Sequence, residues 1–207
     1  MKPETFYSHT SPSLRGRGCR GWGLKRLTTC LLALTCLLGT NLFAQKTNTM
    51  NTVNKTLVAY FSATGTTKAV AERIAAIADA DLCEITPATP YTSADLNWRN
   101  DRSRSSVEMA DKASRPEMKP VKIDVQAYDT VYIGFPIWWD VAPHIVNTFI
   151  ETCSLQGKTV ILFATSGSST IDNSLRDMRQ TYPDLRITDG KLLNNASDAT
   201  LHRWLGK

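Results

Sequence analysis

The chain has 207 residues, of which 42% are hydrophobic and 21% charged, and its formal net charge is +5. This composition excludes a wholly disordered or collagen-like chain, and the length suits one domain with an appendage. The chain has 24 basic and 19 acidic side chains. Eight of the basic side chains and one of the acidic ones lie in residues 1–55, so residues 56–207 have 16 basic and 18 acidic side chains and a net charge of −2. We expect no nucleic-acid partner, because the part of the chain with a folding pattern carries no excess of positive charge.

Residues 1–44 have the pattern of a secretory signal peptide. A basic pair precedes an apolar run at 27–39, and small and polar residues follow it, with a plausible cleavage site after Ala44. The run is shorter than the roughly 18 to 20 residues that span a membrane. We therefore expect a periplasmic or secreted protein with no stable membrane anchor, and a linker at 45–55. Translation from Met50 is the alternative and would give a cytoplasmic protein.

Alternating strand and helix patterns begin at residue 56. The first, third and fourth strands are near-continuous apolar runs, which indicates strands covered on both faces in a parallel sheet. The second strand alternates between apolar and polar residues, as an edge strand does. The fifth strand has a weak pattern that is interrupted by Asp189-Gly190. The five strand segments are 56–61, 82–85, 130–135, 159–164 and 185–193.

Helical spacing of apolar residues fills most of the gaps between these strands. The second of these helices has Pro143 in its first turn, where proline is tolerated. The strand and helix alternation indicates a doubly wound α/β domain at 56–207. The helix patterns lie at 70–77, 145–150, 173–182 and 201–205.

Residues 87–126 break the alternation, with four prolines and nearly balanced charges. We expect a crossover with one or two short helices, at 93–99 and 105–112. Because a loop this long in a compact domain is usually functional, a role in lining a site is one interpretation, beside that of a plain connection.

The loop after the first strand predicts a phosphate site. Open parallel sheets bind ligands beyond the carboxyl ends of their strands, and hydroxyls, backbone N–H groups and the positive end of a helix meet in this loop. The alternative is an ordinary helix cap, for which Ser and Thr are favoured. The loop lacks both G-x-x-x-x-G-K-[ST] and G-x-G-x-x-G, so it is neither a P-loop nor a dinucleotide fingerprint. The predicted phosphate ligands are Ser62, Thr64, Gly65, Thr66 and Thr67.

Two further loops follow strands at the same edge of the predicted sheet. Adjacent tryptophans after the third strand offer a flat apolar surface for a planar ring, and adjacent side chains cannot easily both point into the core. The small polar loop after the fourth strand offers backbone donors to the edge of such a ring. The candidate residues are Pro136, Ile137, Trp138 and Trp139 in one loop and Thr165, Ser166, Gly167, Ser168 and Ser169 in the other.

Neither a catalytic nucleophile nor a metal site is predicted. G-x-S-x-G is absent around the serines, and no pair among the five cysteines has C-x-x-C spacing. Cys83 and Cys153, the two in the domain, are expected to be buried small hydrophobic residues.

The three loops together resemble those of flavodoxins, over residues 56–207. The motif Ser62-x-Thr64-Gly65-x-Thr67 is similar to the phosphate-binding loop of that family. The resemblance implies a flavodoxin-like doubly wound three-layer sandwich, with a five-stranded parallel sheet of order 2-1-3-4-5, and one non-covalent FMN. Its phosphate would lie on the 62–67 loop and its isoalloxazine between the tryptophan loop and the 165–169 loop.

The resemblance also implies electron transfer, with redox partner proteins or a small-molecule electron acceptor. An FMN-dependent NAD(P)H:quinone or nitro reductase is an alternative. It is favoured by the long 87–126 segment and by the absence from 136–143 of the glycine that many carriers of the family have there. A second alternative is a module of the same fold that binds another phosphate compound and performs no redox chemistry.

N-terminal sequencing of the native protein distinguishes export from cytoplasmic residence. Cleavage after Ala44 gives a mature chain that starts at Gln45, which is the result we expect. A native chain that starts at Met50 would contradict export.

Overall fold

The computed structural model describes residues 54–207, so the predicted signal peptide and most of the predicted linker lie outside the described residues. The strands are β1 (Thr56–Tyr60), β2 (Asp81–Glu84), β3 (Thr130–Pro136), β4 (Thr159–Thr165) and β5 (Arg186–Leu192). The helices are α1 (Thr66–Ala78), α2 (Arg104–Ala110), α3 (His144–Cys153), α4 (Asp172–Thr181) and α5 (Asp198–Leu205), with a short 3-10 turn at Val125–Ala127.

The five strands form one parallel sheet of order β2-β1-β3-β4-β5, which confirms the predicted doubly wound topology. The chain winds outward from β1 to the edge strand β2, then crosses to β3 and continues in the other direction. The carboxyl ends of β1 and β3 therefore flank the point where the winding reverses, which is where open α/β sheets bind ligands.

Alternate residues of β1 enter two separate cores, one on each face of the sheet. Leu57 and Ala59 pack in the larger core, which also contains the buried face of α3. Val58 and Tyr60 pack in the other core, with residues of α1 and α5. Burial on both faces explains why the central strands are apolar without polar alternation.

The predicted interruption of the fifth strand is a β-bulge. Val160 pairs with Ile187, but the next residue, Ile161, pairs with Asp189, so Thr188 is the additional residue. β5 is continuous through Asp189 and Gly190 because a bulge absorbs one residue without ending the strand.

One of the two helices predicted in the 87–126 segment is present, as α2. The prediction of the other, at 93–99, is wrong. Residues 93–99 form turns. Asp95 Oδ2 accepts hydrogen bonds from the backbone N–H and the hydroxyl of Thr92, and Asn97 Oδ1 accepts one from the N–H of Arg99. Side chains that bond to the local backbone compete with helical hydrogen bonds and favour turns. Pro143 also lies one position earlier than predicted, as the residue that precedes α3.

Both domain cysteines are free, and Cys83 is buried as predicted, whereas Cys153 is half-buried. Burial, with a smaller contribution from Cys83, raises the pKa of the Cys153 thiol to about 11, so this thiol is protonated at neutral pH. Within residues 54–207, no helix is both long enough and apolar enough to cross a membrane.

Gly134 tests the packing between the central strands. A Cβ at this position would lie 2.1 Å from Cζ of Phe163, its neighbour in β4, so we expect Gly134→Ala to lower the free energy of unfolding by about 1–3 kcal/mol. Gly167→Ala is the matched control, because a Cβ there meets nothing within 4 Å, and its effect should stay within about 0.5 kcal/mol in urea unfolding. Equal effects of the two changes would contradict this account.

Candidate functional site

Two adjoining cavities lie where the loops after β1, β3 and β4 meet. Their volumes are about 510 and 490 Å3, within the range of small-molecule sites. We call the first the aromatic cavity; it is lined by Ala63, Thr64, Leu96, Trp98, Ser105, Pro136, Ile137, Trp138, Trp139, Asp140, Ser166, Gly167, Ser168 and Ser169. We call the second the polar cavity; it is lined by Thr64, Thr66, Pro136, Ile137, Trp138, Thr165, Ser166, Gly167, Asn194 and Asn195.

The loop between β1 and α1 leaves the start of the helix open. Gly65, with φ of 89°, precedes the first helical residue, and no side chain caps α1. The hydroxyl of Ser62 accepts a hydrogen bond from the N–H of Gly65 at 3.1 Å and so stabilises the turn. The amide groups of the first helical turn have no partner within the helix, and together they form the kind of donor set that binds anions.

The four hydroxyls of this loop have different surroundings. Thr64 and Thr66 are exposed, their hydroxyl oxygens are 3.4 Å apart, and both residues line the polar cavity. Thr67 is buried, and its hydroxyl is 2.8 Å from that of Thr165 at the end of β4. Ser62 and Thr67 therefore hold the loop in place, and Thr64 and Thr66 are the residues of this group that are exposed at the polar cavity.

The two adjacent tryptophans have different environments. The indole of Trp138 packs edge-to-face against Phe61 and Tyr91, with ring centroids 5.5 and 5.3 Å apart. Trp139 is 48% exposed, and its backbone has a φ of 46°. Trp138 is therefore an anchor against the core, and Trp139 is the flat surface that opens to solvent.

A tight turn explains this division. The backbone groups of Trp138 and Val141 exchange two hydrogen bonds of 3.0 Å, and the two residues between them are both left-handed, with φ of 46° at Trp139 and 65° at Asp140. This conformation is unfavourable for residues other than glycine. The hydroxyls of Ser169 and Ser174 donate to the carboxylate and the carbonyl of Asp140, which ties the turn to the neighbouring loop and α4.

The loop after β4 is held by its own serine and by an asparagine that follows β5. The hydroxyl of Ser166 accepts hydrogen bonds from the N–H groups of Ser168 and Ser169, so it supports the loop. The amide of Asn194 accepts from the N–H of Ser166 at 2.8 Å and donates to its carbonyl. The next residue, Asn195, is left-handed and also lines the polar cavity.

The segment that runs from the end of β2 into the first turn of α2 supplies a further wall of the aromatic cavity, beside the loops after β1, β3 and β4. Leu96, Trp98 and Ser105 line it, which supports the interpretation that this long connection lines a site. Trp98 is 65% exposed, whereas Ser105 is buried and its N–H donates to the carbonyl of Asp95 at 3.0 Å. We call Leu96, Trp98 and Ser105 the roof residues.

A compact network holds the segment that carries the roof residues. The guanidinium of Arg104 lies over the ring of Tyr91, 4.0 Å from its centroid, and donates to Glu108 at 2.6 Å. The hydroxyl of Tyr91 donates to the same carboxylate at 2.5 Å. Burial and this hydrogen bond raise the pKa of Tyr91, so the phenol keeps its proton across the physiological range.

The cavities carry little charge. Asp140 is the only ionisable side chain among the described residues that line them, and its carboxylate is bonded to Ser169. An anion at the start of α1 would therefore be held by hydroxyls and backbone amides. Residues 54–207 contain no group of three or more His, Cys, Asp or Glu side chains that could hold a metal ion.

Most of the residues predicted for a ligand site line one or both cavities, and three do not. Ser62, Gly65 and Thr67 shape the first loop from outside the cavities. Sequence reasoning offered the 87–126 segment as a wall of a site without naming the roof residues, and it did not include Asn194 and Asn195. The asparagines follow the fifth strand directly, so the rule that identified the other loops applies to them as well.

The parallel sheet, the reversal of winding between β1 and β3, and the open helix start define a doubly wound α/β protein of the class that binds a phosphorylated ligand at its strand ends. Within this class, the flavodoxin family model matches residues 55–207, and the chain belongs to the flavodoxin family. The resemblance stated from the sequence is thus confirmed.

Solved structures agree with this assignment. A candidate flavoprotein from Bacteroides eggerthii DSM 20697 is 56% identical, with a TM-score of 0.72, over 73% of this chain and 96% of its own. Another, from Bacteroides uniformis ATCC 8492, is 52% identical with a TM-score of 0.72, over 74% and 99%. A flavoprotein in complex with FMN from Lactobacillus acidophilus NCFM is 23% identical with a TM-score of 0.58, over 71% and 98%, a likeness of fold. No curated protein matches the chain.

Asn194 provides a test of how the cavity loops are joined. We expect Asn194→Ala to speed hydrogen exchange at the Ser166 N–H by about fivefold, because that group loses a hydrogen bond worth about 1 kcal/mol. The N–H of Ile137, which donates to the carbonyl of Thr165 at 2.8 Å, is the internal reference and should not change. Equal acceleration at both amides would mean that Asn194 supports the whole edge of the sheet and not this one loop.

Proposed function

We propose that the chain binds one FMN non-covalently across the two cavities and acts in electron transfer. The observation that carries this proposal is the pairing of an anion-binding helix start with an adjoining cavity of aromatic and serine-rich walls, at the edge where the winding of the sheet reverses. Membership of the flavodoxin family supports the same cofactor.

The polar cavity suits the phosphate end of FMN. Thr64 and Thr66 offer hydroxyls beside the uncapped first turn of α1, and the positive end of the helix dipole favours an anion there. Asn194 and Asn195 add side-chain donors and acceptors at the opposite loop, where a polyhydroxyl chain would find partners. A phosphate monoester requires no more than such neutral donors when the site is partly open to water.

The aromatic cavity suits the isoalloxazine. The exposed indole of Trp139 offers a stacking surface, and the loop at 166–169 offers backbone groups to the edge of the ring. Bound flavin supplies the redox chemistry, and the protein sets its potential and its exposure. The rigid anchoring of Trp138 and the hydrogen bonds to Asp140 keep this surface in position.

Electron transfer is favoured over binding without redox chemistry because a flat stacking site adjoins the phosphate site. A module that held only a small phosphate compound would need the polar cavity alone. The partners of such a redox protein are other redox proteins or a small electron acceptor. The reductase alternative finds support in the roof residues, which enclose the ring site on a further side.

FMN titration tests the cofactor. Added FMN should lose its fluorescence on binding, with a stoichiometry of one, and the loaded protein should show a flavin spectrum that bleaches during reductive titration. A colourless protein that takes up no FMN would overturn the proposal. If FMN binds but no donor of low potential reduces it, electron transfer is excluded, and the alternative that remains is a module that binds the ligand without redox chemistry.

Thr64→Asp tests the position of the phosphate. A carboxylate beside the phosphate adds repulsion between like charges, so we expect the dissociation constant of FMN to rise by at least about tenfold, or about 1.4 kcal/mol. Thr64→Asn is the matched control, since it has the same size without the charge, and should change binding by less than about threefold. If the two variants bind FMN equally well, the phosphate does not lie near Thr64.

A further inference from the structure

The aromatic cavity, of about 510 Å3, has walls from four separate segments of the chain. Its walls come from the loops after β1, β3 and β4, and also from the roof residues, which precede or begin α2. The segment that carries the roof residues follows β2, the edge strand beyond β1. The loop at 166–169 follows β4, on the other side of β3. The cavity thus joins elements from both sides of the reversal point.

Exposed aromatic surface is concentrated at this cavity. Among residues 54–207 the exposed large hydrophobic side chains are Leu82, Trp98, Val107 and Trp139. Both tryptophans in this set line the aromatic cavity, whereas Leu82 and Val107 line neither cavity. Large exposed apolar groups that share one concave site indicate a ligand with a flat apolar surface.

Local contacts orient Trp98 in the absence of a ligand. The guanidinium of Arg99 lies over the indole of Trp98, 4.9 Å from the ring centroid. The backbone N–H of Trp98 donates to the carbonyl of Leu96 at 2.9 Å, which fixes the local turn of the chain. Contact with the guanidinium restricts the orientation of the exposed indole, which reduces the side-chain entropy lost when a ring stacks on it.

The charge of the cavity restricts the kind of molecule that fits. Of the described side chains that line it, the carboxylate of Asp140 is the only charged one, and Arg99 is exposed to solvent, where its field is screened. A nucleotide with several phosphates, such as a reduced nicotinamide dinucleotide, would find no cationic partner among these residues. The hydroxyls of Ser105 and Ser168 are suited instead to the carbonyl oxygens of a neutral molecule.

We propose that the side of the aromatic cavity formed by the roof residues binds a neutral, planar molecule of the quinone class as the electron acceptor of this protein. The inference rests on the proposed function, in which FMN occupies the polar cavity and the side of the aromatic cavity formed by Trp139. For each quinone reduced to a hydroquinone, two electrons and two protons pass from the fully reduced flavin. A reduced redox protein and solvent protons then restore the flavin, so no nicotinamide dinucleotide has to enter the cavity.

Equilibrium dialysis tests the site without turnover. The FMN-loaded, oxidised protein is dialysed against oxidised 2-methyl-1,4-naphthoquinone and, separately, against 1,4-naphthoquinone-2-sulfonate, which has the same rings and a negative charge. We expect the neutral quinone to bind about tenfold more tightly than the sulfonate.

Three variants locate the binding. Trp98→Ala should weaken binding of the neutral quinone by about fivefold to tenfold, the range expected for loss of one aromatic stacking partner, and Trp98→Phe should restore most of it. Val107→Ala is the matched control, an exposed apolar residue of α2 that lines neither cavity, and should bind the quinone as the parent protein does. Trp98 is exposed, so its replacement leaves the core intact.

The result that overturns the inference is equal quinone binding by the Trp98→Ala and Val107→Ala variants, or a sulfonate that binds as tightly as the neutral quinone. A parallel loss of FMN affinity in Trp98→Ala would also overturn it, because Trp98 would then belong to the flavin site. Failure of the protein to bind FMN at all is a separate outcome that rejects the proposed function. The same dialysis on the chain without FMN then decides whether the roof binds a quinone by itself.

Discussion

The candidate site depends on the mutual packing of Phe61, Tyr91 and Trp138. Their rings meet edge-to-face in all three pairs, with centroids 5.3 to 5.7 Å apart. Phe61 directly follows β1, Trp138 follows β3, and Tyr91 belongs to the long connection after β2. This cluster therefore joins the reversal point of the sheet to the segment that carries the roof residues. Edge-to-face pairs add about 0.5–1.5 kcal/mol each to the burial of the rings, so the connection is a firm part of the domain.

The same cluster accounts for the exposed position of Trp139. Because Trp138 is committed to the core and pairs with Val141 across a tight turn, its neighbour is directed to the opposite side. The turn requires two left-handed residues that are not glycine, a conformation that costs about 1–2 kcal/mol for each. Hydrogen bonds to Asp140 from the neighbouring loop and α4 offset this cost. Strain held by surrounding contacts is typical of positions that present a side chain to a ligand.

The positive and negative charges of this protein are unevenly distributed along the chain. The net positive charge lies in the N-terminal 55 residues, and the domain is slightly acidic. The anion site that we propose at the start of α1 has no cationic side chain among the described lining residues, and its donors are the amides of the first helical turn and the hydroxyls of Thr64 and Thr66. In the proposed complex, this neutral donor set would hold the phosphate while the adjoining aromatic cavity stays almost uncharged, which favours flat, neutral molecules in that cavity.

The amino-acid sequence by itself determined the strands, the doubly wound topology and the loops at the strand ends, because burial on both faces and helical spacing leave local patterns. The tertiary structure alone decided which hydroxyls of the first loop are exposed at the cavity, since Thr67 is buried and paired with Thr165, 98 positions away. It also decided that Trp98 faces the cavity and that Asn194 supports Ser166. A local pattern records the period and burial of its own segment. Contacts between distant segments arise only when the strand order and the packing of side chains bring their loops together.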